Sequence, residues 1–220
     1  MSTEILKEIQ EVQSSLDRET ITRHFFQEGN IDYDKLVNSL EREKLFIALE
    51  ILSHPEFLKL IDEGKITLGA IKPKTEISKL NVASDVEGEK KILEEIKPPL
   101  ELIFSLSLAI SRKDIENFYP EDVRKKLESI KEGDITALES LTRLLTSGPI
   151  TYFILFDKTA NAINEWRRQI GATNPKNASP DSIRGKYALG VPGNLVHGSD
   201  SKESVIKEIE WLTGKIHSIV

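Results

Sequence analysis

Cysteine is absent from the 220 residues, which excludes disulfides, thiol catalysis and thiolate metal sites, so any nucleophile must be another side chain. Long apolar runs are missing too. None approaches the ~20 residues that a membrane span requires, and the opening Met-Ser-Thr-Glu with its mixed-charge continuation has the pattern of neither a signal nor a transit peptide. Together these absences predict a cytoplasmic protein with no membrane partner. Aromatics make up only 6% of the chain and the net charge is −6; few of them stand beside basic clusters, which argues against a nucleic-acid-binding module. Neither Gly-x-x-x-x-Gly-Lys-Ser/Thr nor Gly-x-Gly-x-x-Gly occurs. Without a glycine-rich backbone cradle, bound phosphates would have to be held by side chains.

What is present is the composition of a folded protein, 39% hydrophobic and 30% charged, too rich in aliphatics for general disorder. The length predicts one full domain plus an appendage. Charge divides the chain in the same way: residues 1–64 hold 14 acidic and 7 basic side chains, net −7, which leaves +1 for residues 65–220. Within the larger part, residues 158–187 carry Lys158, Arg167, Arg168, Lys176, Arg184 and Lys186 against Glu165 and Asp181. That local excess suits an anionic ligand or a solvated basic face.

Periodicity supports the division. Ile5, Leu6, Ile9 and Val12 recur at helical spacing over Thr3 to about Leu16, and Leu36, Leu40, Leu45, Ile47, Ala48 and Ile51 do so over Ile31 to Leu52. Pro55 opens a further turn before Phe57 to Ile61, since proline's missing donor is harmless at a helix start. The appendage is thus read as all-helical, and it holds no motif tied to chemistry. Beyond Gly64, Ile66 to Ile71 reads as a buried strand stopped by Lys72-Pro73, and Val86 to Ile96 as a helix closed by Pro98-Pro99. Leu100 to Ile110 alternates with the period of two that a strand requires. Helices are predicted near 112–118, 121–131 and 136–146, a strand over Pro149 to Phe156, a helix over Asp157 to Arg168, a loop over 171–193, a brief strand over Asn194 to Val196 and a final helix over Ser201 to Leu212. Ser201 and Ser204 are its candidate caps. The order predicts an α/β sandwich, a ferredoxin-like βαββαβ antiparallel sheet with covering helices.

Of four histidines, His24, His54 and His217 have no acidic or histidine neighbour at metal-ligand spacing and read as structural or exposed. His197 differs. It is expected at the end of the brief strand, between a glycine and a helix start, where reactive groups and anions tend to sit.

The segments Gly171-Ala-Thr-Asn-Pro175, Pro180, Ile183-Arg-Gly185 and Asn194 to Ser201 together resemble the C-terminal half of the nucleoside diphosphate kinase family. Ser147-Gly-Pro149, Phe118-Tyr119 and Ala70-Ile-Lys-Pro73 extend the resemblance over roughly residues 65–213. Any one of these pieces is weak, whereas their order and spacing together are specific.

The resemblance implies ping-pong transfer of the γ-phosphate of a nucleoside triphosphate to a nucleoside diphosphate through a phosphohistidine, on His197. A free imidazole titrates near ~6.5, so a histidine is largely neutral and nucleophilic at physiological pH. Glu208 matches the family's acidic residue that orients the ring, and Ser199 the hydroxyl supporting that pair. Lys72, Arg167 and Arg184 match the phosphate-contacting cations, with Thr173 adding a hydroxyl. Tyr119 matches a donor beside the reactive histidine, Asn194 the residue that with Lys72 holds the sugar hydroxyl, and Val191 one apolar side of the base. Mg²⁺ is implied as the cofactor, arriving on the nucleotide phosphates with no protein metal site. A homo-oligomer is implied as well.

The chain departs from the family pattern at several points. Lys74 follows Lys72-Pro73 where an acid is usual, the segments 74–98 and 120–146 are longer, the base-stacking phenylalanine has no counterpart, and Pro192-Gly193 precedes Asn194. A second reading follows from them: a nucleotide-binding, weakly active regulatory relative whose residues 1–64 form a protein-interaction module.

Overall fold

The computed structural model describes residues 44–73, 85–188, 190, 191 and 193–220. The helix expected over 3–16, most of that over 31–52, His24, Lys74 and Pro192 lie outside the described residues. Two compact units are distinguished: one is Ile61–Leu212, the other Met1–Leu60 with Thr213–Val220. Residues 44–53 form helix α1, and Pro55–Asp62 forms α2. Leu45, Ala48, Ile51 and Leu52 are buried at helical spacing, which is the face the periodicity selects.

The larger unit is built on four antiparallel strands: β1 (Ile66–Ile71), β2 (Glu101–Leu108), β5 (Ile150–Phe156) and β6 (Val196–Gly198), in the order β2-β5-β1-β6. With helix α3 (Asp85–Glu94) after β1 and α7 (Ala162–Ile170) after β5, this is the ferredoxin-like arrangement expected from sequence. Between β2 and β5 come α4 (Arg112–Phe118), α5 (Glu121–Ser129), a small hairpin of β3 (Lys131–Glu132) and β4 (Ile135–Thr136), and α6 (Ala137–Leu145). A 3-10 turn at Pro175–Asn177 and a short helix α8 (Ile183–Tyr187) lie before β6, and α9 (Lys202–His217) ends the chain. No helix among the described residues is long and apolar enough to cross a membrane.

Every residue of the central strands β1 and β5 is buried, so both sheet faces are covered. On one face Phe153, Leu155, Ile71 and Val196 pack with Ile92 of α3 and with Ala162, Trp166 and Ile170 of α7. Fully burying such side chains contributes about 1.5–3 kcal/mol each. On the other face Tyr152 stands 5.9 Å from the ring of Trp211 in α9, which also meets Phe118 edge-on at 5.1 Å. Local signals set the boundaries. Ser111 and Asp114 form a capping box at α4, Thr136 caps α6, and the Ser201 hydroxyl accepts from the Ser204 N–H at the start of α9, each satisfying a donor the first turn leaves open.

Several boundaries differ from expectation for physical reasons. A bulge between Leu102 and Phe104 breaks the alternation of β2, so Leu102 is 41% exposed while Ile103 is buried. The helix expected over 121–131 stops at Ser129 because the chain turns into the β3–β4 hairpin, whose Gly133 has φ 66°. Residues 157–161 are not helical: Asp157, fully buried, binds the Thr159 N–H and hydroxyl instead, delaying α7 to Ala162. Leu195 adopts φ 72°, a left-handed conformation incompatible with extended chain, so the last strand begins at Val196 and His197 sits inside it rather than at its end.

Candidate active site

In β6, Val196, His197 and Gly198 pair with Ile71, Ala70 and Gly69 of β1. Side chains alternate across a strand. Val196 therefore joins the core beneath α7, and His197 projects from the opposite face, beside Ala70 and its other partner Tyr152. On that face Glu208 of α9 meets the ring: His197 Nε2 lies 3.0 Å from both carboxylate oxygens. The hydroxyl of fully buried Ser199 donates to Glu208 Oε2 at 2.7 Å. A carboxylate accepts, so the pairing calls for the Nε2–H tautomer and leaves the Nδ1 lone pair available. Among the described residues no hydrogen bond engages Nδ1, and the side chain remains 36% exposed.

The three cations singled out from sequence, Lys72, Arg184 and Arg167, line the same cleft as His197. Lys72, just past β1, donates to Asn194 Oδ1 at 2.6 Å. Its own backbone N–H is bound by the Leu195 carbonyl. Burial, and then the charge of Arg184, bring the Lys72 ammonium down to about 8, because a desolvated cation beside another cation loses its proton more easily. Arg184 on α8 is 5% exposed. Its Nη1 and Nη2 donate to the carbonyls of Gly171 and Val196, both at 2.8 Å, and its Nε has no partner among the described residues. Burial and Arg167 lower it to about 10, still charged near neutrality. Arg167 on α7 is exposed, with Nη1 3.5 Å from the Gly198 carbonyl. Asn194 also donates to the Thr173 carbonyl at 3.0 Å, tying the 171–175 loop to Lys72.

Tyr119, at the end of α4, is pushed up to about 12 by burial and by the charge of Glu208, so its phenol keeps its proton and can donate. The cleft that these groups share has a volume of about 1050 Å³, ample for a ligand of cofactor size. Val123 and Leu127 of α5 and Leu141 of α6 line it, as does Val191, which is 51% exposed. Asp200 also borders it; the Ser204 hydroxyl donates to its carboxylate at 2.6 Å and holds it below the usual carboxylate range, with Arg167 and His197 assisting against the effect of burial.

His197, Lys72, Tyr119, Glu208, Arg167, Thr173, Arg184, Val191 and Asn194 therefore line one cleft, although they come from positions 72 to 208. Ser199 lies behind Glu208, outside the lining. Periodicity marks Val123, Leu127 and Leu141 as apolar but not as cleft walls, and it says nothing of Trp211 or Lys207, which border the cleft as well. His54 and His217 are exposed and are bonded locally, to the Glu56 N–H and near the Thr213 carbonyl. Among the described residues no three histidine, aspartate or glutamate side chains converge as a metal cage.

Comparison with known proteins points the same way. Residues 65–215 match the family model described as nucleoside diphosphate kinase. The nucleoside diphosphate kinase of Legionella pneumophila (strain Paris) is 34% identical over 147 residues, 67% of this chain and 91% of that protein. Among solved structures, the nucleoside diphosphate kinase of Aquifex aeolicus superposes with a TM-score of 0.51 at 25% identity, over 67% of this chain and 94% of that one. That of Encephalitozoon cuniculi gives 0.50 at 26% identity, over 67% and 87%.

Proposed function

This chain belongs to the nucleoside diphosphate kinase family, and from that membership we propose that His197 carries the phosphoryl group between its two substrates. The enzyme acts on nucleotides, moving the γ-phosphate of a nucleoside triphosphate to a nucleoside diphosphate. The regulatory, weakly active reading is not favoured, because the relatives it matches are named for the catalytic activity. The observation that carries the residue-level reading is the double contact of Glu208 with His197 Nε2 at 3.0 Å, which leaves Nδ1 without a hydrogen bond among the described residues.

In the first half-reaction Nδ1 attacks the γ-phosphorus; the N–P bond forms as the bond to the bridging oxygen breaks, and the nucleoside diphosphate leaves with that electron pair. In the second, a terminal oxygen of the acceptor diphosphate takes the phosphoryl group and the imidazole is regenerated. Glu208 keeps the Nε2 proton in place throughout and balances the positive charge that grows on the ring, while Ser199 holds the carboxylate. Phosphoryl transfer asks little else of a protein than placement and fixed donors. Lys72, Arg167 and Arg184 supply positive charge, Tyr119 a phenolic donor, Thr173 a hydroxyl, and Asn194 with Lys72 the sugar contacts. Val191, which lines the cleft together with Leu127 and Leu141, offers an apolar surface for the base, which suits broad base tolerance.

The family's divalent cation, taken as Mg²⁺, would be held by nucleotide phosphate oxygens and would neutralise their charge. Lys72, Arg167, Arg184 and Lys207 in the lining suit the phosphates with which that metal would enter. A homo-oligomer, a cytoplasmic setting, and a protein-interaction role for residues 1–64 beside the kinase part from 65–220 complete the reading. Incubation with γ-labelled ATP and a chase with a nucleoside diphosphate test it. Acid-labile label on the protein that chases into product is expected, and His197→Ala should abolish both steps; substantial transfer by that variant would overturn the assignment.

A further inference from the structure

Trp166 sits on the face of the sheet away from the cleft, in α7, with none of its surface exposed. Its ring meets Phe153 edge-on, 5.4 Å between centroids at 84°, and its indole N–H donates to the carbonyl of His197 at 3.1 Å. Gly198 makes room for it: a Cβ there would stand 2.6 Å from Cδ1 and 2.7 Å from Nε1 of the indole. The ring is therefore confined between the core and the peptide that follows His197.

That confinement matters because β6 is a three-residue strand at the edge of the sheet, paired among the described residues only with β1. An edge strand is held by the ladder on one side alone. The next residue of α7, Arg167, approaches the next carbonyl, that of Gly198, at 3.5 Å. Consecutive residues of one helix thus grip consecutive carbonyls of the strand, one from the dry core and one from the cleft. A buried indole N–H left without its acceptor is costly, so the contact holds strand and helix in one register.

We propose that Trp166 is a positioning residue for phosphotransfer: through its hydrogen bond to the His197 carbonyl it fixes the distance between the imidazole and Arg167. The proposal rests on His197 being the phosphorylated group. Trp166 touches neither substrate nor imidazole, and it acts by setting the backbone from which the ring projects. A misplacement of about 1 Å can slow a positioned reaction about 100-fold, so a smaller shift of the strand slows transfer while nucleotide affinity, supplied by side chains of the cleft, changes little.

Two full-length variants test it. Trp166→Phe keeps an aromatic ring and removes the donor; site-specific incorporation of 3-benzothienylalanine at position 166 keeps the bicyclic shape and replaces the N–H by sulfur. The single-turnover rate of His197 phosphorylation by Mg-ATP is measured by rapid quench, alongside the ATP Kd and the thermal midpoint. We expect both variants to be phosphorylated about threefold to tenfold more slowly, with ATP Kd within about twofold of the parent. If Trp166→Phe does not fold, the isosteric variant decides. A rate less than threefold below the parent, or a loss that appears in Kd instead, overturns the proposal. An unmodified protein that is never phosphorylated at His197 would refute the premise instead, so the two failures are distinct.

Discussion

Lys72 and Asn194 are 122 positions apart in the chain and share a 2.6 Å hydrogen bond, with the Asn194 amide passing a second bond on to the Thr173 carbonyl. Next to Asn194, Leu195 adopts a left-handed conformation and its carbonyl accepts from the Lys72 N–H. One backbone kink thereby connects the end of β1, the 171–175 loop and the strand bearing His197.

The pH profile should report Lys72. Its ammonium is held down to about 8 by burial and by Arg184, so in the free enzyme the positive charge is present below that value and disappears as pH rises through it. kcat/KM, which reflects groups of the free enzyme, is expected to fall on the alkaline side with an apparent midpoint near 8. Lys72→Arg, charged throughout, should remove that limb from the profile even if its overall rate is lower. A limb unchanged by the substitution would assign the titration to another group.

Glu208 contacts the imidazole ring, so its loss should appear in turnover. Glu208→Gln preserves size but removes the charge that balances the phosphorylated ring, and kcat is expected to drop roughly 10- to 100-fold with KM nearly constant. Steady-state kinetics decide; a raised KM at normal kcat would mean that Glu208 serves binding.

Arg184 has two of its nitrogens committed to the carbonyls of Gly171 and Val196. A lysine has one nitrogen and cannot span both. Arg184→Lys should therefore cost about 1–3 kcal/mol of stability in denaturant unfolding, together with weaker nucleotide binding. Loss of binding at full stability would show that the carbonyl contacts are incidental.

How much of this was legible beforehand follows from which forces are local. The strand β5 and the helix α6 announce themselves in apolar spacing, and the order of elements was enough for the ferredoxin-like sheet. The site residues emerged only through family resemblance, since nothing in the spacing of Lys72, Tyr119 and His197 tells a reader that they converge. What stayed hidden depends on tertiary or conformational detail. The bulge at Leu102 shifts which residues of β2 face inward, the Asp157 turn displaces the start of α7, and the Leu195 kink moves the last strand onto His197. Trp166 reads from sequence as an ordinary core aromatic; its role becomes visible only when β6 is seen to lie beneath it, with Gly198 vacating the space.

The central sheet offers a stability test independent of catalysis. A Cβ on Gly69 would lie 2.2 Å from the ring of Phe153, itself fully buried, so Gly69→Ala forces a packed ring to move. Overpacking of this kind costs about 1–3 kcal/mol, seen as a fall in Tm of roughly 2–12 °C. An unchanged Tm would mean that the two central strands are spaced more widely than described.

The carrier role of His197 is tested by quenching the full-length enzyme during steady-state turnover with Mg-ATP and a nucleoside diphosphate, and locating the phosphoryl group by tandem mass spectrometry under neutral conditions. Phosphate is expected on His197, appearing and decaying at rates no slower than kcat. Phosphate on another residue, or turnover with position 197 always unmodified, would contradict it.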